Sequence, residues 1–267
     1  VSLVSFELVG YVAVIRLNRP EKYNSLNPEM AVRLAQAWER IKADNDIRVA
    51  VITGTGKAFC AGGDLGTLIP ILNGSKKPVD EWEKALSDDR TLLTKALLRD
   101  IDVGKPVIAA INGDAVAGGM ELVLGTDIRV AVKGARLGLQ EVKHGVFPGG
   151  GGSVRLPAQL PQPIALEMLT TGSLMSSDKL ASYGLINHVV DTDEVIDRAI
   201  KIAVSIAENA PLAVQAVRKS ARESIGNDEQ TALKRETDIS KPIWRSDDAK
   251  EGPRAFLEKR APTFFGR

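Results

Sequence analysis

Glu121 and Glu141 stand twenty residues apart, and both adjoin glycine-rich sequence. The stretch reads Ala117-Gly118-Gly119-Met120-Glu121, then Leu137-Gly138-Leu139-Gln140-Glu141, then Pro148-Gly149-Gly150-Gly151-Gly152-Ser153. Carboxylates move protons, and glycines let a backbone approach a ligand with its N–H groups turned outward. Acid–base chemistry beside a backbone anion site is the expectation.

Further turns fit that chemistry. Ala58-Phe59-Cys60-Ala61-Gly62-Gly63-Asp64 places consecutive glycines before a helical stretch, where an exposed N–H can serve an anion. Gly54-Thr55-Gly56-Lys57 just before it fails the spacing of a phosphate loop and reads as a tight turn. Gly118 and Gly119 fall at a helix N-terminus, where unpaired N–H groups and the helix dipole favour negative charge. Close helix–sheet packing is the bland alternative. Glu121 lies among Met120, Leu122, Val123 and Leu124, so burial should raise its pKa. Its alternative is a surface glutamate complementing the dipole. Glu141 is expected to close a strand, with a solvated strand end as the alternative. Ser153-Val154-Arg155-Leu156 then suggests a new helix.

Other chemistries find little support. His144 and His188 are the only histidines, and with one cysteine a zinc site is not expected. No Gly-x-Ser-x-Gly elbow is present, Cys60 reads as a packed thiol, and Asp64 and Asp127 read as turn caps.

The elements that must hold these residues alternate. Residues 11–17 form a strand ended by Asn18-Arg19-Pro20. Asn27-Pro28 opens an amphipathic helix over about 28–44. Residues 49–53, 107–111 and 128–132 are short apolar strands of the kind covered on both faces. These predict a recurring strand–turn–helix unit. Residues 67–103 are polar and partly helical, a pocket wall or lid. From about 191 only helices follow: one opened by Pro211, and a last one introduced by Asp247-Asp248 with Lys259-Arg260 at its basic end.

The 267 residues can bury a large core, and 44% hydrophobic with 26% charged residues is ordinary for a globular protein. A net charge of +1 gives no reason to expect nucleic acid. The single Cys60 fits a reducing compartment. No apolar run reaches the roughly 18 residues of a membrane helix. With no secretory signal and no peroxisomal tripeptide expected, a cytoplasmic location is the default.

Taken in order, these segments resemble the crotonase superfamily over nearly the whole chain. The resemblance runs through Leu17-Asn18-Arg19-Pro20-Glu21 with Asn24-Ser25-Leu26, Ala58 to Asp64, Lys105-Pro106-Val107-Ile108-Ala109-Ala110 and Ala117 to Leu122. It continues through Pro148 to Leu156 and ends with Glu251-Gly252 and Phe256 to Arg260. It implies an α/β fold: a spiral of ββα units over residues 1–190, then a helical region, 191–267, that builds trimers often paired into hexamers. It implies an acyl-CoA thioester as substrate, with no metal and no other cofactor, because coenzyme A is part of the substrate. By the same resemblance the backbone N–H groups of Gly63 and Gly118 form an oxyanion hole. Contacts to the thioester would come from Ala61, Gly62, Asp64, Gly119 and Gly149, with Lys22 and Lys259 as candidates for the CoA phosphates. Hydratases of the family carry glutamate at both acid–base positions. The resemblance therefore points to hydration of a trans-2-enoyl-CoA, with Glu121 activating water and Glu141 supplying the proton to C2. An isomerase, a hydratase-lyase, or a non-catalytic binder on this fold, including one for RNA, are the alternatives. Two features depart from the family pattern: Gln140 stands where proline usually precedes the second glutamate, and 67–103 has no diagnostic motif.

Overall fold

A computed structural model describes residues 2–267. Its strands are β1 Val4–Val9, β2 Val12–Leu17, β3 Val49–Gly54, β4 Ala58–Cys60 and β5 Val107–Ile111. They continue with β6 Asp114–Val116, β7 Ile128–Val132, β8 Arg136–Gly138, β9 Met175–Ser176 and β10 His188–Val190. One sheet has the order β1-β2-β3-β5-β7-β10, the other β4-β6-β8-β9. The β1/β2 and β8/β9 pairs are antiparallel, the rest parallel.

The expected repeat is visible as three strand pairs, β3/β4, β5/β6 and β7/β8. The first strand of each pair enters the large sheet and the second enters the small one. The corner between them takes only residues 55–57, 112–113 or 133–135. Gly56 and Gly134 turn two corners at φ +75° and +77°, conformations that glycine adopts without strain. At the third corner a side chain on Gly113 would overlap the Lys57 carbonyl. Successive pairs therefore stack into a parallel spiral, as expected from sequence.

The large sheet is buried on both faces. Alternation along β2 sends Ala13 and Ile15 into one core with Trp38, Ile52 and Phe59, and Val12 and Val14 into another. Ala199, Ala203 and Ala207 of the helix Val195–Ala207 line that second core. The boundary expected at residue 190 therefore runs through a shared core. The helix Pro28–Ala43 is capped as anticipated: the Asn27 side chain accepts the Met30 N–H at 2.9 Å. Its Trp38 Nε1 donates to the Ala96 carbonyl at 3.1 Å, fixing the helix Thr91–Ala96 over the site.

The C-terminal helices Pro211–Ser224, Glu229–Ser240 and Asp247–Leu257 lie outside this framework. Arg218 clamps the first of them to Asp127 and Asp102 at 2.8 and 2.7 Å. Lys259 and Arg260 fall beyond the end of the last helix, so the basic residue of its final turn is Arg254. Arg260 instead pairs with Glu251 and Glu258, and its guanidinium, with that of Arg254, holds the Glu251 carboxyl well below the usual range. Among the described residues no single helix is long and apolar enough to cross a membrane.

Candidate active site

Three segments far apart in sequence meet because β4, β6 and β8 are parallel neighbours. Their C-terminal ends deliver Ala61–Asp64, Ala117–Glu121 and Gln140–Glu141 side by side. The crevice beyond the carboxyl ends of parallel strands is where α/β sheets commonly bind ligands. The first turn is pinned by Leu26, whose N–H donates to the Gly62 carbonyl at 2.7 Å and whose carbonyl accepts the Asp64 N–H at 2.8 Å. Asn24, fully buried, donates to the carbonyls of Thr55 and Ala58 at 2.9 and 2.8 Å and so fixes Leu26 from behind.

Gly62 and Ala117 face each other. A Cβ on Gly62 would lie 2.7 Å from that of Ala117, and Gly62 sits at φ +89°. Ala117 itself adopts φ 52°, ψ −125°, a conformation costing an L-residue about 1–3 kcal/mol. It lies immediately before the helix Gly118–Gly125. A side chain on Gly119 would overlap the Cys60 carbonyl, so that glycine serves close helix–sheet packing. The Gly63 and Gly118 N–H groups donate to no acceptor among the described residues. Cys60 is a packed thiol, pushed up to about 12 by burial.

Glu121 and Glu141 are only 4% and 7% exposed, which rules out the solvated alternatives for both. Glu121 is raised by burial; opposing that, Gly152 N–H donates to its Oε1 at 2.9 Å, Gly150 N–H donates as well, and Arg155 and Arg99 lie nearby. A side chain on Gly150 would overlap both Leu97 and the Glu121 carboxylate, so the loop has no room for one at this position. Glu141 does not close a strand: β8 ends at Gly138, and Glu141 opens a 3₁₀ turn to His144. Its Oε2 is buried without a hydrogen-bond partner. Burial first, and then the charge of Glu121, raise its pKa to about 7.

Gln140 precedes it at φ −99°, ψ 6°, and its amide donates to the Gly172 carbonyl at 3.4 Å. Glutamine at this position leaves Glu141 buried and facing the same cavity as Glu121.

That cavity has a volume of about 470 Å³. Glu121, Glu141, Gly63, Gly118, Ala61 and Gly149 all line it. Gly62 and Gly119 lie behind its wall. Asp64 turns away to accept the Gly66 and Thr67 N–H groups, as a turn cap should, and pairs with Arg19 at 2.6 Å. Lys22 is exposed on the 3₁₀ turn Pro20–Lys22, and Lys259 is exposed after the last helix; neither lines the cavity of this chain. Residues 67–103 do form a wall, as expected, through Leu68, Ile69, Leu72, Leu93 and Leu97. Sequence reasoning missed Arg99 and Arg155. Arg99 donates to the Gly149 carbonyl at 2.5 Å, and Arg155 donates to the carbonyls of Leu97 and Leu98, bracing the loop that binds Glu121. The one available signal was Arg155 at helical spacing from the glycine run. Among the described residues no three metal-ligating side chains come together.

Two outward N–H groups beside two buried carboxylates, one titrating near neutrality, can stabilise developing negative charge on an oxygen while moving protons.

A family model described as enoyl-CoA hydratase/isomerase matches residues 8–267. The chain is 42% identical to enoyl-CoA hydratase EchA19 of Mycobacterium tuberculosis, over 97% of this chain and 94% of that one. It is 39% identical to (E)-benzylidenesuccinyl-CoA hydratase of Thauera aromatica, over 98% and 99%. The crystal structure of enoyl-CoA hydratase EchA1 from Mycobacterium marinum superimposes with a TM-score of 0.88 at 37% identity, covering all of both chains.

Proposed function

The chain belongs to the enoyl-CoA hydratase/isomerase family, and on that premise we propose that it adds water across the C2–C3 double bond of a trans-2-enoyl-CoA. The observation that carries this reading is the pair of buried carboxylates facing one cavity, both with pKa values raised by burial, of which only Glu121 also accepts glycine N–H bonding that offsets part of that rise. Ionised Glu121 orients and deprotonates the water, whose oxygen bonds to C3. The π electrons shift toward the thioester, whose oxygen takes up charge opposite the Gly63 and Gly118 N–H groups. Protonated Glu141 delivers its proton to C2, and the product is a 3-hydroxyacyl-CoA. Both carboxylates serve one face of the double bond, so the addition is syn. Losing one such N–H donor costs about 10²–10³-fold in rate.

The substrate class places the enzyme after a step that dehydrogenates an acyl thioester, as in acyl-CoA oxidation. Isomerisation needs one proton shuttle and leaves the second carboxylate without a task, which favours hydration. The reading is tested by following the conjugated enoyl absorbance of a chain-length series of trans-2-enoyl-CoA esters. Its loss with appearance of the 3-hydroxyacyl ester is expected. Persistence across the series, or a shifted double bond, overturns it.

A further inference from the structure

The cavity has a far end whose chemistry differs from that of its walls. Near the glutamates its wall is Leu97, packed against Gly150. From there the wall runs back along the helix Thr91–Ala96 through Thr94 and Leu93 to Arg90, which precedes the helix with helical angles of φ −68°, ψ −15°. Residues three and four apart share a helical face. Seven residues at about 1.5 Å each put Arg90 roughly 10 Å from Leu97.

Arg90 reaches across to the end of the helix Leu68–Leu72, where Nη1 donates to the Leu72 carbonyl at 3.1 Å. That bond uses one of five guanidinium donors. None of the ion pairs among the described residues includes Arg90. The carboxylate beside it in sequence, Asp89, is turned to the Thr91 N–H and hydroxyl at 2.9 and 2.6 Å. The largely apolar lining of the cavity therefore includes one solvent-exposed cation with open donors, together with Asn73 and Thr94. A methyl terminus gains nothing there, whereas a carboxylate gains charge-assisted hydrogen bonds in the planar geometry that guanidinium favours.

We propose that the acyl group this enzyme takes ends in a carboxylate, and that Arg90 binds it at the far end of the cavity. The proposal rests on the hydratase reading for its reaction but not for its binding step.

The experiment compares trans-2-decenoyl-CoA with trans-2-decenedioyl-CoA, the same chain ended by a carboxylate, and uses crotonyl-CoA as a short control. Wild-type kcat/KM is expected to favour the dioyl ester by about three- to fivefold, the worth of one exposed charged pair. Arg90→Gln should abolish that preference and leave crotonyl-CoA unchanged, and Arg90→Lys should keep part of it. An unchanged preference in Arg90→Gln overturns the proposal. An equal loss on all three esters also overturns it, since Arg90 would then be only a clamp between two helix ends. If none of the esters is hydrated, the reaction assignment fails instead. Calorimetric binding of saturated decanedioyl-CoA against decanoyl-CoA then decides the Arg90 assignment alone, with equal affinities in wild type and Arg90→Gln overturning it.

Discussion

Glu141 combines two properties that ordinary folding opposes: it is buried, and one carboxylate oxygen has no partner. Its pKa near 7 follows from that burial, with the Glu121 charge adding to it. The folded-state value lies above the unfolded one, so the folded protein binds more protons between about 4.5 and 7 and loses stability as pH rises through that window. Protonated Glu141 is the proposed donor to C2, so log kcat/KM should fall as pH rises through about 7. A profile that rises there would assign Glu141 the role of base. Glu141→Gln should abolish turnover yet melt no lower than wild type at pH 8, since it removes a buried unpartnered carboxylate. A melting point several degrees lower would mean that the carboxylate stabilises the fold.

Among the turns, the tightest geometry is where Gly62 meets Ala117. Sequence assigned the special backbone positions here to glycines, yet an alanine at φ 52° precedes the helix that presents Gly118. Its Cβ fits because the residue opposite has none. Gly62→Ala would add a contact of 2.7 Å to Ala117 and force a side chain into φ +89°. The expected cost is about 2–4 kcal/mol in denaturant unfolding together with a large fall in kcat. Gly66→Ala, whose Cβ would meet only Asp64 at 3.5 Å, should cost less than about 1 kcal/mol. Equal effects from the two would show that the opposed pair carries no special constraint. The same crossing explains why Arg99 and Arg155 escaped notice: their acceptors lie 50 to 58 residues away, and beyond the spacing of Arg155 from the glycine run nothing local marks them.

The C-terminal helices leave Trp244, Phe256 and Leu257 about 80% exposed, with Val217 and Ile225 at 70%. Apolar surface of this kind is costly in water and marks contact surfaces. The trimer or hexamer implied by the crotonase resemblance is the proposed way of covering it. Light scattering should give a mass three or six times that of the chain, and Phe256→Asp with Trp244→Asp should lower it. A monomer at micromolar concentration would overturn the assembly and leave the fold intact.

Strand and helix identities follow from local sequence: apolar runs at 49–53 and 107–111, Asn27-Pro28 opening a helix, glycines at the corners. Each depends on forces acting within a few residues. The two glutamates and the glycine turns were legible as chemistry for the same reason, and their ordered set carried the resemblance to the family. Their convergence was not legible in any one segment, because it arises from β4, β6 and β8 lying parallel in a second sheet. Only folding decides that Glu141 sits on a 3₁₀ turn rather than a strand end, that Gln140 leaves it in place, and that Arg90 comes to line the same cavity as the glutamates. These depend on burial and on contacts between residues tens of positions apart, which residue order does not display.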